Sequence, residues 1–142
     1  IPKKPQLLID MKLRGDWVPR DRTGAFAMLI VLDRELRNGH SGRMTKDELM
    51  DAAERSGLSE ESMYGSNHGA TPFQYDGWSQ MTKVVRGGDV PKVIRVQKSS
   101  PALFKLSRSD ASECGVKFAA ALHYYAHQRS YCKCEHCPPN LY

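Results

Sequence analysis

Apolar residues repeat at intervals of three and four along much of the chain, which is the spacing of amphipathic helices. One such stretch begins at a capping Thr23 and ends at Asn38-Gly39, with apolar positions at Ala25, Met28, Leu29, Leu32 and Leu36. Thr45 and Glu48 have the spacing of a capping box, so a second helix is predicted to begin there and to end at Gly57. Both helices are expected to contribute one face to a shared core.

A third helix is predicted between Gly77 and Arg86, where the pair Gly87-Gly88 ends it. Its apolar stripe is formed by Trp78, Met81, Val84 and Val85, and its opposite stripe by Ser79, Thr82, Lys83 and Arg86. The first stripe can therefore pack in the core while the second contacts a partner. Trp78 is interpreted as the core anchor of this helix.

After this helix the period changes from helical to alternating. Ile94 and Val96 alternate with Arg95 and Gln97, and Phe104 and Leu106 alternate with Leu103 and Lys105, which predicts two strands paired across Ser99-Ser100-Pro101. A last helix is predicted to open at Asp110 and Glu113, with one face formed by Cys114, Phe118, Leu122 and Tyr125. This order of elements predicts an α+β, mostly α fold, a winged helix-turn-helix of three helices, a β-hairpin wing and a C-terminal helix.

The length of 142 residues is enough for one core but not comfortably for two. Residues 1–19 predict an extended basic lead-in with a short helical turn around Leu7 to Lys12, residues 20–128 the winged helix, and residues 129–142 a Cys-rich tail or interdomain linker. A long loop is expected over residues 59–74. Without a membrane-spanning or secretory segment, and with Ile1 instead of Met at the start, we expect a fragment of a larger intracellular protein.

Charge is distributed unevenly along the chain, whose net charge is +5. Acidic residues concentrate in the first half, whereas between Lys83 and Arg108 the only acidic residue is Asp89. A surface of one sign attracts phosphates and releases their counterions, so this stretch predicts DNA binding; the alternative is a solvated basic face. The candidate DNA contacts are Ser79, Thr82, Lys83, Arg86, Lys92, Arg95 and Lys98.

Four stretches resemble one family of winged helices. They are WVPRDRTGAFAMLIVLDRE (residues 17–35), TKDELMDAAERSGLS (45–59), GWSQM (77–81), and Ser100-Pro101-Ala102 with Phe104, Leu106, Ser107 and Gly115. Together they resemble the domain that precedes the nuclease in the catalytic subunit of XPF-family, Mus-type crossover junction endonucleases. The resemblance covers roughly residues 14–122, most of the chain.

The resemblance implies a nuclear, structure-selective endonuclease of DNA repair and recombination that pairs with a noncatalytic subunit. Such enzymes cut 3′ flaps, replication forks and Holliday-junction intermediates with Mg²⁺ held by an E-R-K-x-x-x-D signature, which this chain lacks. The fragment is therefore expected to be no enzyme and to hold no cofactor, but to bind branched or duplex DNA and modulate incision. The alternative is a winged helix that docks a partner subunit or scaffold without contacting DNA.

Three features depart from the family pattern: a longer connection over residues 87–92, Asp33 in place of an aromatic residue, and the tail HYYAHQRSYCKCEHC. Cys132, Cys134 and Cys137 in this tail, with His127, are candidate zinc ligands, while His123 and His136 lie nearby. The spacing of Cys132 and Cys134 is short for most zinc sites. A flexible segment with reduced cysteines is the alternative, and a disulfide does not suit a nuclear protein.

Overall fold

The computed structural model describes residues 4–64, 77–86, 92–96, 101–108 and 114–139, without the side chains of Thr82, Lys83 and Arg86. In these ranges the helices are α1 (Gln6–Leu13), α2 (Gly24–Arg37), α3 (Lys46–Ser56), α4 (Met81–Arg86) and α5 (Gly115–Gln128), and a 3₁₀ turn, Gly77–Gln80, leads into α4. The strands are β1 (Met44–Thr45), β2 (Val93–Arg95) and β3 (Leu103–Leu106). They form an antiparallel sheet in the order β1-β3-β2. No helix in the described ranges is long and apolar enough to cross a membrane.

The central element is α2, which packs against both α3 and α5. Thr23 is its N-cap, with a side chain that accepts a hydrogen bond from the backbone N–H of Phe26, and Asn38 is its C-cap. These bounds confirm the helix predicted from the sequence. Residues 24–33 of α2 are all buried, so the helix is enclosed by the rest of the domain along most of its length.

The second predicted helix is also confirmed. Thr45 caps α3 through a complete capping box, in which its hydroxyl accepts from the N–H of Glu48 and the Glu48 carboxylate accepts from the N–H of Thr45. Gly57 ends α3 in the left-handed conformation, with φ of 69°. Thr45 also belongs to β1, so the same residue joins the sheet to the start of α3.

Substituting Thr45→Ala is expected to lower the free energy of unfolding by about 1 kcal/mol, because the first turn of α3 loses one of its two capping hydrogen bonds. Urea denaturation followed by circular dichroism measures this loss. Thr45→Ser keeps the hydroxyl and should restore most of the stability. An alanine variant as stable as the parent would mean that the capping box contributes nothing.

The predicted hairpin is confirmed as an antiparallel pairing of β2 with β3, although Ser99 and Ser100 of its predicted turn lie outside the described ranges. The register pairs Arg95 with Phe104 and Ile94 with Lys105. Arg95 therefore lies on the same face of the sheet as the buried Phe104, whereas Ile94 lies on the other face and is 40% exposed. The strand β1 was not predicted.

Both ends of the described chain pack onto the domain. Leu8 and Met11 of α1 are buried in the same core cluster as Cys132, and α1 contacts α5. The Tyr131 ring meets Phe26 edge to face, with 6.2 Å between the ring centroids. The sequence predicted a short helical turn around Leu7 to Lys12, which α1 contains, and a tail or linker after residue 128. Both segments pack onto the core.

The last helix begins at Gly115 with Cys114 as its N-cap, and its predicted apolar face is buried. The predicted opening residues Asp110 and Glu113 lie outside the described ranges. Gly115 lies against the sheet, where its N–H donates to the Ser107 hydroxyl at 2.8 Å. A β-carbon at this position would come within 1.9 Å of the Lys92 carbonyl oxygen, so the close approach requires glycine.

Candidate functional site

An open groove lies where the predicted recognition helix, the start of α3 and the hairpin meet. Its volume is about 790 Å³. The lining residues are Thr45, Lys46, Asp47, Trp78, Met81, Val85, Arg95, Pro101, Ala102 and Phe104. The groove thus has an apolar floor with Lys46, Asp47 and Arg95 at its edges.

Trp78 supports this groove in the way the sequence predicted. Its indole meets Phe104 edge to face, with 5.1 Å between the ring centroids, and the ring is packed against the core cluster. The ammonium of Lys46 lies 5.2 Å from the centroid of the same indole. Trp78 therefore anchors the helix to the sheet and also holds a cation at the groove.

The predicted DNA contacts are described to different extents. Ser79 and Arg95 are exposed, and Arg95 borders the groove. The backbone of Thr82, Lys83 and Arg86 belongs to α4, but their side chains lie outside the described part of the structure. Lys98 is likewise outside the described ranges, so its contact remains a prediction.

Lys92 does not lie on the basic surface where the sequence placed it. Its side chain is only 4% exposed, and its ammonium lies 5.1 Å from the centroid of the Phe118 ring in the core. Its backbone N–H donates to the Val84 carbonyl, and its carbonyl accepts from the N–H of Ser107. A lysine buried in this way does not reach a phosphate, so Lys92 is not among the proposed DNA contacts.

Lys46 was missed by the sequence analysis. It lies 37 residues before Lys83, outside the basic stretch from Lys83 to Arg108. The capping box nevertheless fixed the start of α3 at Lys46, and β1 pairs with β3 directly before it. Lys46 could have been found only from the pairing of β1 with β3. A strand of two residues has no pattern that reveals this pairing in the sequence.

The structure brings together three of the four predicted zinc candidates and replaces the fourth. One ligand atom each from His123, Cys132, Cys134 and Cys137 can be chosen so that all four lie within 4.8 Å of one another. His127 is exposed and its Nδ1 lies 3.3 Å from the Cys132 carbonyl oxygen, so the histidine that lies among the three cysteines is His123 and not His127. All four cysteines of the chain are described and are free thiols.

His123 is completely buried and connects this cluster to α2. Its Nδ1 lies 2.6 Å from Oδ2 of Asp33, which also accepts a hydrogen bond from Nε of Arg37 at 2.8 Å. Asp33 itself is 1% exposed. The acid that stands in place of the family's aromatic residue therefore makes a buried contact with α5.

The charges in the cluster favour one ionised sulfur. Burial raises the pKa of the Cys132 thiol, but hydrogen bonds from His123 and Arg34 outweigh burial and lower this pKa to about 5. Burial likewise opposes protonation of His123, yet its hydrogen bonds to Asp33 and Cys132 raise the pKa of its imidazole to about 9. Burial and the neighbouring sulfurs raise the pKa of Cys137 to about 12.

Two curated relatives match 69% of the chain, in alignments that are 109 positions long. One is crossover junction endonuclease MUS81 of Oryza sativa subsp. japonica, at 36% identity, and the other is crossover junction endonuclease MUS81 of Arabidopsis thaliana, at 34% identity. The chain is homologous to a segment of MUS81. This homology confirms the predicted resemblance to crossover junction endonucleases in its broad form.

The extent of the match limits what it carries over. The aligned part is 16% of the length of each MUS81 relative, so the activity of the whole protein reaches this chain only as a proposal. No family model and no solved structure matches the chain significantly. The winged helix therefore remains a prediction from the sequence, within a fold that the structure shows to be α+β.

Proposed function

We propose that this chain is a winged-helix domain that binds the DNA backbone within a MUS81-like, structure-selective endonuclease. The observation that carries the proposal is the position of Arg95. The register of β2 and β3 places Arg95 on the face of the hairpin that borders the groove beside α4, and its side chain is exposed there. A wing cation next to the recognition helix can reach a phosphate run that the helix alone does not cover.

The arrangement of the sheet supports the winged-helix part of this proposal. The short strand β1 lies between α2 and α3 and pairs with β3, which also pairs with β2. This three-stranded sheet attaches the hairpin to the helical core, so the wing and α4 keep a fixed relative position. A fixed pair of contacts suits recognition of DNA shape.

The contacts that we propose come mainly from cations and hydroxyls. Arg95, Lys98, Lys83 and Arg86, with Ser79 and Thr82, would contact phosphates on either side of the groove. Gln80 is not available for reading bases, because its side-chain oxygen accepts a hydrogen bond from the N–H of Ala25 at 3.1 Å. Little base specificity is therefore expected, as suits an enzyme that selects branched structures.

The remaining parts of the proposal concern the whole protein. The chain contains no E-R-K-x-x-x-D run, so we place Mg²⁺-dependent incision of 3′ flaps, forks and Holliday-junction intermediates in another domain. The domain would influence where that nuclease cuts. A nuclear location and a noncatalytic partner subunit belong to the same proposal.

A second function is favoured by the apolar floor of the groove. Trp78, Val85 and Pro101 line an open surface that a peptide or partner subunit could cover, and Ile94 is exposed on the other face of the hairpin. In this case the domain would be a protein-docking module without direct DNA contact. The two functions differ in their dependence on Arg95, because an apolar partner would be held by the groove floor.

The proposal is tested by fluorescence anisotropy of the chain with duplex and 3′-flap DNA over a salt series. Substituting Arg95→Glu is expected to weaken binding about tenfold and to lower the slope of log affinity against log salt by about one, because one phosphate contact is lost. Lys105→Glu is the matched control. Lys105 pairs with Ile94 on the opposite face of the same hairpin, so its charge reversal should have a much smaller effect.

Equal losses in the Arg95 and Lys105 variants would mean that only the net charge matters, and would overturn the assigned face. If the parent does not bind either DNA at low salt, the protein-docking function is favoured. Trp78→Ala would then be compared with the parent for binding to the noncatalytic subunit.

A further inference from the structure

We propose that His123, Cys132, Cys134 and Cys137 bind one structural Zn²⁺ ion, which fastens the segment after α5 to the helical core. This proposal does not depend on DNA binding. Three sulfurs and one imidazole form one of the common ligand sets of structural zinc sites. Three independent features support the site: the spacing of the ligand atoms, the groups that surround them, and the path of the chain.

Four of the six distances between the ligand atoms are close to those of a tetrahedron around Zn²⁺, and the other two are within 4.8 Å. With Zn–S bonds of about 2.3 Å and Zn–N bonds of about 2.0–2.1 Å, two sulfurs should lie about 3.8 Å apart and a sulfur and a nitrogen about 3.6 Å apart. The Sγ atom of Cys137 lies 3.6 Å from that of Cys132 and 3.6 Å from that of Cys134. Nε2 of His123 lies 3.4 Å from Cys132 Sγ and 3.3 Å from Cys134 Sγ.

The imidazole of His123 is held in the orientation that a metal ligand needs. Nδ1 of His123 donates a hydrogen bond to the Asp33 carboxylate, so the proton is on Nδ1 and Nε2 faces the sulfurs. A carboxylate behind a ligating histidine is a frequent feature of zinc sites. Arg37 in turn binds Asp33, so the carboxylate is fixed by two partners although it is almost fully buried.

Hydrogen bonds also prepare Cys132 for coordination. A terminal guanidinium nitrogen of Arg34 lies 2.9 Å from Cys132 Sγ, and the backbone N–H of Cys134 donates to the same sulfur. Three thiolates and a neutral imidazole around Zn²⁺ carry one net negative charge, which the Arg34 guanidinium can balance. Arg34 is half-buried beside Cys132 and Cys134, where its charge favours their ionised form.

The path of the chain after α5 explains how closely spaced cysteines reach one site. Ser130 has a positive φ of 62°, so the backbone reverses directly after the helix. The N–H groups of Tyr131 and Cys132 both donate to the Ala126 carbonyl, which ties the returning segment to the last turn of α5. Cys132 is thereby brought back beside His123, and the segment Cys134 to Cys137 supplies the remaining two ligands.

Zn²⁺ fits these residues better than a disulfide does. Sulfur atoms 3.6 Å apart are beyond the S–S bond length of about 2.05 Å, and pairing any two cysteines would leave the third with the buried histidine. Soft thiolates in a tetrahedral arrangement favour Zn²⁺ over the oxygen-seeking Mg²⁺ and Ca²⁺. Four protein ligands would fill the coordination sphere, as in structural zinc sites, and two of them, His123 and Cys132, are buried.

The first test is metal analysis of the 142-residue chain, expressed with zinc and purified with a phosphine reductant. We expect about one Zn²⁺ per chain by mass spectrometry of the metal content. The metal-stripped chain should also bind Co²⁺ with the visible bands of a tetrahedral ion and the near-ultraviolet charge-transfer band of thiolate ligands. Removal of zinc by a chelator should lower Tm by roughly 10 °C.

Matched variants identify the ligands. His123→Asn and Cys137→Ser are expected to weaken Zn²⁺ affinity by more than about 100-fold, whereas His127→Asn and Cys114→Ser should retain one Zn²⁺ per chain. Asp33→Asn should keep the stoichiometry but weaken affinity roughly 10–100-fold, because it only orients His123. Comparison of His123→Asn with His127→Asn decides whether the ligand is His123 or its neighbour one helical turn away.

Loss of zinc in His127→Asn but not in His123→Asn would overturn the assigned ligands. A parent chain without stoichiometric zinc and without the thiolate charge-transfer band would overturn the site itself. So would a disulfide among the three tail cysteines in protein purified with zinc. If the ligand variants fail to fold, Co²⁺ titration of the parent still decides, since the band requires thiolates at the metal.

Discussion

Reversing the charges of Lys83 and Arg86 together is expected to reduce DNA affinity by about 100-fold at low salt and to lower the salt slope by about two. Both residues belong to α4, whose Met81 and Val84 are buried, so the helix is held against the core beside the groove. Each reversal removes a phosphate contact and adds a charge that repels DNA. Fluorescence anisotropy with a 3′-flap substrate measures the change.

The control for this experiment reverses Lys12 and Arg55, which are exposed on α1 and α3. It alters the net charge by the same amount without changing α4. Affinity close to that of the parent is expected for this control. If both double variants lose affinity equally, binding reflects overall charge and not α4. If the Lys83 and Arg86 variant binds DNA as the parent does, the helix is not the DNA contact.

Substituting Gly115→Ala is expected to lower the free energy of unfolding by about 3 kcal/mol and Tm by roughly 10 °C. The added β-carbon would lie 1.9 Å from the Lys92 carbonyl oxygen and 2.7 Å from the Ser107 nitrogen. These two atoms belong to one backbone hydrogen bond, from the Ser107 N–H to the Lys92 carbonyl. Moving either atom away from the β-carbon would weaken that bond. Thermal unfolding by calorimetry or circular dichroism tests the prediction.

Gly15→Ala provides the comparison for Gly115. Gly15 has a positive φ of 87°, but a β-carbon there meets no atom within 4 Å. Its substitution should cost about 1 kcal/mol from backbone conformation alone. A Gly115 variant no less stable than the Gly15 variant would show that the sheet relaxes to accept the β-carbon.

Helices with strong local signals were predictable from the sequence. The cap at Thr23 and the capping box at Thr45 fixed the first turns of α2 and α3, because these signals act within four residues. The apolar face of α5 was also predicted, with Phe118 and Leu122 buried. Long-range pairing was less predictable: β1 is only two residues long, and its position depends on β3 far along the chain.

Charge patterns predicted a binding side but not the position of each basic residue. Lys92 follows the basic pattern and yet packs over Phe118, because its backbone joins α4 to the sheet and leaves its side chain inside. The phase of the alternation predicted for β2 was wrong, since Val93 is the buried apolar residue and Ile94 is exposed. The register of the pairing between β2 and β3 decides which residues of β2 are exposed. The sequence of β2 alone does not contain this register.

The sequence grouped the cysteines of the tail with His127, whereas the structure groups them with His123. His123 and His127 lie one helical turn apart, and no sequence rule separates them. The difference comes from Asp33, ninety residues earlier, which binds His123 in the core. Two departures from the family pattern, an acid in α2 and a cysteine-rich tail, are therefore parts of one arrangement.

The packing of α1 has a practical consequence for how far this domain can be shortened. The core that encloses α2 draws on Leu8 and Met11 at one end and on Cys132 at the other. A fragment trimmed to residues 20–128 would contain the helices and hairpin of the motif yet present bare apolar surface where α1 and the tail belong. A fragment intended for expression should therefore include α1 and the segment around Cys132 in addition to residues 20–128.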